Sequence, residues 1–376
     1  VGAKLIDQLE QYTSDLVRLG LYRQRHVDPP DEGIVHFGRN DYLSLSMDPR
    51  IKNAYQRGFD RYPTSSSGSM LTCGYHSIHK ALEDAFSEAL GVDDCLLFPS
   101  GYAANLSIIA LLARQDIHVV VDKMVHASIY DGLQSTGTRY TRYLHNDLTD
   151  LSLKMTRTQK DKVLVTEGIF SMSGQSAPLS DIALVCQNDV QGLIIDEAHA
   201  FGLLGDQGLG AVSQHQLTQK EVPLRVIPFG KAFASVGAMV AGQRIWIDAL
   251  LQSARPYIYS TALSPACAYG LLETLEVLRG ADERRSKLRS LVNYFREAIY
   301  RSPLQWGDSH SPIQQLQLGC PQRALYVSDY LRQQAILCFP MRQPTVSKQH
   351  TGLRVILNYH HQPEHIDLLF QCLHQI

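Results

Sequence analysis

The sequence has no surplus of either charge. Thirty-five Lys and Arg stand against 37 Asp and Glu, a net of −2, which argues against a general nucleic-acid or membrane-binding surface. It also lacks an apolar run approaching the ~20 residues of a membrane span. The first residues lack the apolar core of a signal peptide, so the expected location is cytoplasmic. Cysteine is sparse: Cys73, Cys95, Cys186, Cys267, Cys320, Cys338 and Cys372 are odd in number, scattered, and never in a Cys-x-x-Cys pair. They read as reduced, mostly buried small hydrophobes, with no disulfide framework and no metal centre expected. Internal repeats and low-complexity tracts are absent too. What is present is a length of 376 residues with 44% hydrophobic content, enough for two or three structural units around a sizeable core.

The stretch from Gly192 to Lys231 organises the rest. Its apolar run Leu193-Ile194-Ile195 stops at Asp196-Glu197-Ala198-His199, which predicts a strand buried on both faces that ends at Asp196, on the edge where open α/β sheets bind ligands. A glycine-rich turn, Gly202 to Gly210, leaves room for a crossover. A second strand, Leu224 to Ile227, then delivers Pro228-Phe229-Gly230-Lys231 to the same edge. Two chemistries use such an acid and amine. One is that of a nucleic-acid-dependent NTPase with an Asp-Glu-Ala-His box, which requires a Gly-x-x-x-x-Gly-Lys-Ser/Thr loop. Here Gly230-Lys231 is followed by Ala232, with Arg225 where the first glycine belongs, so the loop is missing. The other is pyridoxal 5′-phosphate (PLP) chemistry, with a Schiff-base lysine and an aspartate on the pyridine nitrogen. A buried ion pair at a strand end is the bland alternative.

Leu5, Leu9, Tyr12, Leu16 and Leu19 alternate spacings of four and three, which predicts an amphipathic N-terminal helix, followed by a linker at Val27 to Gly33. Thr64 to Ser69 is a small-residue loop. A helix is expected over His76 to Leu90, with His76 and His79 read as helix surface. Cys95 to Phe98 is an apolar strand whose Ser100-Gly101-Tyr102 turns straight into a helix, and free amides at such a start form an anion site. Strand His118 to Val121 is followed by His126 at the opening of the next helix. Strand Val163 to Val165 runs into Thr166-Glu167-Gly168. This alternation makes a parallel, doubly wound sheet the default architecture. Beyond Glu276 the rhythm becomes that of a compact α+β unit: helix 284–299, strand 313–318, helix 322–334, strands 336–339 and 353–357, helix 365–373. Its basic cluster, Arg284, Arg285, Lys287 and Arg289, reads as a solvated helix face, as do Arg23 and Arg25 near the N-terminus.

Taken in order, Asn40-Asp41-Tyr42-Leu43, Ser100 to Asn105, His126-Ala127-Ser128, His145-Asn146-Asp147, Thr166 to Met172, Asp196 to His199, Gly202 to Gly210, Phe229-Gly230-Lys231 and Tyr259-Ser260-Thr261 together resemble the PLP-dependent α-oxoamine synthases of the aspartate-aminotransferase fold. The resemblance runs from Asn40 to the C-terminal helix. It is strongest to the members that join L-alanine to a pimeloyl thioester in biotin biosynthesis. Members using glycine with acetyl-CoA, or serine with a long-chain acyl-CoA, are the alternatives.

The resemblance implies an α/β fold: a helical arm over 1–40, a large PLP-binding domain over 41–275 with a mostly parallel, doubly wound, seven-stranded sheet, and a small α+β domain over 276–376. It implies that Lys231 carries the cofactor, that Asp196 meets the pyridine nitrogen and His199 the phenolate oxygen, and that His126 stacks over the ring. Gly101, Tyr102 and Ser171 would take the phosphate end, with Ser260 and Thr261 supplied across a homodimer. Arg354 would hold the amino-acid carboxylate and Thr345 would lie near the acyl substrate, while Arg23, Asn40 and His126 would also meet substrate. The acyl carrier, CoA or acyl carrier protein, stays open, and no metal is implied. Two positions depart from the pattern. Pro228 stands where a hydroxyl residue is usual and has neither hydroxyl nor amide hydrogen to give a phosphate. Met70 replaces a basic or polar residue at the end of the small-residue loop.

Overall fold

Short apolar runs bounded by polar strand ends become strands here because each can be covered on both faces by helices. The computed structural model describes residues 2–25, 27, 33–158, 161–187 and 190–376. In chain order the strands are β1 (Val35–His36), β2 (Asp94–Phe98), β3 (His118–Asp122), β4 (Tyr140–Tyr143), β5 (Lys162–Glu167), β6 (Gly192–Asp196), β7 (Leu224–Pro228), β8 (Ala238–Gly242), β9 (Ile313–Gln317), β10 (Ile336–Leu337), β11 (Phe339–Met341) and β12 (Gly352–Ile356). The chain divides into two compact units. The larger takes Asn40–Ser171 and Gln175–Ser286, and the smaller takes 1–39, 172–174 and 287–376. The 275/276 boundary expected from the change of rhythm lies inside a helix, Pro265–Arg279.

The larger unit holds a seven-stranded sheet in the order β2-β8-β7-β6-β5-β3-β4. From β7 to β4 every pairing is parallel, and β8 runs antiparallel to both β7 and β2. The reversal follows from chain length. Residues 229–237 are too few for the crossover a parallel return demands, so the chain doubles back beside β7. That short connection carries Lys231. It is anchored by Phe229 and Phe233, whose rings stack at 4.6 Å, with Phe86 against them at 5.5 and 5.8 Å.

In the smaller unit, β11-β12-β9 form an antiparallel sheet and β1 pairs with β10 in parallel. The single strand expected over 336–339 is therefore two, in different sheets. The N-terminal helix, Gly2–Arg18, leaves Leu5, Leu9 and Tyr12 more than half exposed.

Two surface readings fail, both because a polar group meets a buried backbone group. His79 is fully buried: its Nδ1 accepts the His76 N–H at 3.0 Å and its Nε2 lies 2.7 Å from the Leu263 carbonyl. Arg284 and Arg285 are not solvated. Arg284 donates to the Leu43 and Ser44 carbonyls and to Asp48, and Arg285, buried, donates to the Leu278 and Arg279 carbonyls. In each case the side chain satisfies acceptors that folding has removed from water.

Edge strand β2 has one face of its backbone unpaired by the sheet, and Glu83 covers it. The Leu97 N–H donates to Glu83 Oε1 at 2.9 Å and the Tyr75 hydroxyl to Oε2 at 2.7 Å. Burial lifts the Glu83 pKa from its ordinary 4.5 to about 7. The folded chain thus holds a proton between those two values that the unfolded chain releases. The stability tied to the neutral carboxyl is present in full below pH 4.5 and is lost as pH rises to about 7. At about 1.4 kcal/mol per unit the loss is roughly 3 kcal/mol. Glu83→Gln, which keeps an acceptor for Leu97 and can donate to the Tyr75 oxygen, is expected to be less pH-sensitive. Urea unfolding at pH 5 and pH 8 measures this, and an equal fall in both proteins would refute it.

Candidate active site

Parallel strands β5, β6 and β7 end side by side, and their last residues supply a cleft floor. Glu167 pairs in register with Asp196, and Pro228 closes β7 two residues past the Val226 that pairs with Asp196. Above this edge opens a cleft of about 360 Å³ in the larger unit. Lys231, Asp196, His199 and His126 line it, together with Gly101 and Tyr102 at the start of the helix Gly101–Arg114. The lysine, the carboxylate and the two histidines expected from sequence therefore meet in one place.

The helix start is shaped for an anion. Ser100 caps it, its Oγ accepting the Ala103 N–H at 3.1 Å. The N–H groups of Gly101 and Tyr102 lie in the first turn, which has no preceding helical carbonyl to accept them. Only glycine fits at 101, since a Cβ there would stand 2.5 Å from Pro228 Cγ. Pro228 thus fills the side of the cradle and gives it no donor. Tyr102 is tethered by a hydrogen bond from its hydroxyl to Asp131.

Two neighbouring carboxyls on the floor are treated differently by their surroundings. Asp196 accepts the Ala198 N–H at 2.9 Å on Oδ1 and the Asn105 amide at 2.8 Å on Oδ2, which fix the orientation of its carboxylate. Glu167 is 1% exposed and its Oε2 accepts the Ser171 N–H at 3.2 Å, while Oε1 has no hydrogen-bond partner among the described residues. Burial, reinforced by the Asp196 charge, holds its pKa well above the ordinary carboxylate value. Solvent reaches the His126 ring through the cleft, yet the surrounding protein desolvates it and lowers its pKa. Asp196 pulls the other way, and Lys231 adds to the lowering.

His199 is buried, and its Nδ1 lies 2.5 Å from the hydroxyl of Tyr42, which in turn is 3.3 Å from Asn40 Oδ1. Asn40 thus reaches the cleft through two intermediaries. Ser171 does not line it. Ser260 and Thr261 are exposed, just past the helix Arg255–Tyr259. Arg23, Thr345 and Arg354 belong to the smaller unit, where Arg23 donates to the Thr345 hydroxyl at 3.1 Å and Arg354 lies on β12. Sequence reasoning passed over Tyr42, Asn105, Ser128 and Glu167 as site residues. All four sit inside motifs it quoted, and the signal it lacked was which of them fold against Asp196 and the histidines.

The profile of the family "Aminotransferase class I and II" matches residues 32–372. The chain belongs to that family. It is 38% identical over 94% of its length to an 8-amino-7-oxononanoate synthase from Pseudomonas syringae pv. tomato, 92% of which is covered. Among solved structures it resembles the 8-amino-7-oxononanoate synthase of Francisella tularensis (TM-score 0.82, 31% identity, covering 92% of this chain and 98% of that one). It also resembles a serine palmitoyltransferase from S. paucimobilis solved with bound PLP (TM-score 0.89, 25% identity, covering 99% and 97%).

Proposed function

We propose that this chain is a PLP-dependent acyltransferase that condenses L-alanine with a pimeloyl thioester, releasing the thiol and CO₂ and giving 8-amino-7-oxononanoate for biotin synthesis. One observation carries the reading. A lysine, an aspartate and two histidines converge beside a helix start in a chain 38% identical to synthases of that name. The site's donor set suits PLP: an amine for the aldehyde, a carboxylate for the pyridine nitrogen, and first-turn amides with a glycine-only approach for the phosphate. Bound there, PLP supplies an electron sink for negative charge at the amino acid's Cα.

The chain's own groups do the rest. Asp196, oriented by the Ala198 N–H and the Asn105 amide, would hold the pyridine nitrogen. Lys231 would carry the cofactor and, once released from it, its Nζ would be placed to take the Cα proton of the amino acid. His126 would lie against the ring, and His199, held by the Tyr42 hydroxyl at its Nδ1, would serve the phenolate oxygen. Gly101 and Tyr102 would hold the phosphate end; Ser171, which does not line the cleft, would join them only through a shift of its segment, and Ser260 and Thr261 would reach the phosphate of a partner subunit. Arg354 would bind the alanine carboxylate, Thr345 would serve the acyl chain, and Arg23 and Asn40 would also meet substrate. The exposed apolar stripe of the N-terminal helix supports a homodimer. No helix among the described residues is long and apolar enough to cross a membrane, which agrees with a cytoplasmic enzyme.

The test is thiol release by the purified, PLP-loaded protein, with L-alanine against pimeloyl-CoA and pimeloyl-acyl carrier protein, and mass detection of the amino ketone. Preference for glycine with acetyl-CoA, or for serine with palmitoyl-CoA, would overturn the substrate assignment. A protein that stays colourless with PLP and hydrolyses ATP would overturn the reading entirely.

A further inference from the structure

Beneath the cleft, four polar side chains form one connected line whose direction is fixed by chemistry. An ionised Asp196 can only accept, so the Asn105 group 2.8 Å from its Oδ2 must be the amide NH₂. The second hydrogen of that NH₂ points to Ser128 Oγ at 2.9 Å, which makes the serine oxygen an acceptor there. The serine's own hydrogen is then free for His126 Nδ1, 2.9 Å away. The Ser128 backbone N–H, which can only donate, also meets that Nδ1 at 3.3 Å. With Nδ1 accepting from both, the ring proton of a neutral His126 sits on Nε2. Asn105 and Ser128 are 4% and 0% exposed, so no bulk water competes for these bonds.

We propose that Asn105 is a positioning residue that joins the Asp196 carboxylate to the His126 ring through Ser128, and so fixes His126 as an Nε2–H donor facing the cleft. Its carboxylate end rests on the PLP reading above, and its histidine end does not. If the amide were lost, two things would change together. Asp196 would lose a donor that orients it, and the Ser128 hydroxyl would be released to turn round and accept from Nδ1–H, against only the longer 3.3 Å contact of the Ser128 N–H holding Nδ1 as an acceptor. The ring would then sample both tautomers.

The experiment is ¹⁵N NMR of histidine-labelled protein without PLP, His126 being assigned by the signal lost in His126→Asn, together with PLP affinity. The wild type is expected to show the neutral Nε2–H tautomer at pH 7.5. Asn105→Leu, similar in volume but without donors, is expected to give mixed tautomers and roughly tenfold weaker PLP binding, the scale of one hydrogen bond to a charged group. Ser128→Ala should disturb the tautomer, and Ser128→Thr should restore the wild-type spectrum. A wild-type Nδ1–H or imidazolium signal would overturn the proposal. So would an Asn105→Leu protein with wild-type tautomer and affinity. If Asn105→Leu does not fold, the wild-type and Ser128 spectra decide the histidine end. Absence of any PLP binding by the wild type would sink the functional reading and leave the tautomer result standing.

Discussion

Lys231→Ala is expected to lower turnover by more than about 10⁴-fold and to abolish the visible absorption that PLP gives the wild-type protein. General acid–base catalysis by a positioned side chain is worth roughly 10²–10⁴-fold, and this residue is assigned both that role and the attachment of the cofactor. The loss should be chemical and not structural. Lys231 is half-buried on the connection 229–237, and the packing of that connection rests on Phe229 and Phe233, which the substitution leaves in place. Urea unfolding without PLP should therefore match the wild type within about 0.5 kcal/mol, as for substitutions away from packed or paired groups. Thiol release, absorption of the PLP-treated proteins and the unfolding midpoint are the three measurements. A variant that kept more than about one per cent of activity would remove Lys231 from the chemistry.

The sequence exposed the parts of this site that depend on periodicity and chain order. The apolar run before Asp196 marks a buried strand, and the length between Asp196 and Lys231 is enough to bring both to one sheet edge. It was mute where a role depends on what folds against what. Tyr140-Thr141-Arg142-Tyr143 has no apolar run, so β4, a partly exposed edge strand, left no trace. Glu167 reads along the chain only as the polar end of the strand Val163 to Val165. Only the register of β5 on β6 sets it beside Asp196, where burial and that neighbour raise its pKa. Asn105 lies one helical turn past an anion-binding start, and nothing along the chain says that this turn faces Asp196. Arg285 looked like one charge in a basic helix face, and its real partners are carbonyls near the end of the preceding helix.

Glu197, the letter after Asp196, carries the second large expectation. Successive residues leave a strand end in opposite directions, so Glu197 turns away from the cleft that Asp196 lines. It is fully buried. Its Oε1 accepts from Arg225 at 2.8 Å and from the Val212 N–H at 3.0 Å, and its Oε2 from the Ala211 N–H at 2.8 Å. Gly210 stands so near that a Cβ would lie 2.7 Å from Oε1, and the same guanidinium also holds the Leu209 carbonyl. One carboxylate thus pins the glycine-rich segment 202–210 to β7. Glu197→Ala would strand a buried guanidinium and two amides, and breaking a buried pair in this way costs about 3–5 kcal/mol. Arg225→Met together with Glu197→Leu should recover part of that loss, because neither partner then keeps an uncompensated charge. Urea midpoints of the single and double variants measure it. A single variant within about 1 kcal/mol of wild type would refute the clamp. If Glu197→Ala kept its stability and lost PLP binding, the acidic box would act as one unit at the cleft, and the division of labour between Asp196 and Glu197 would be wrong.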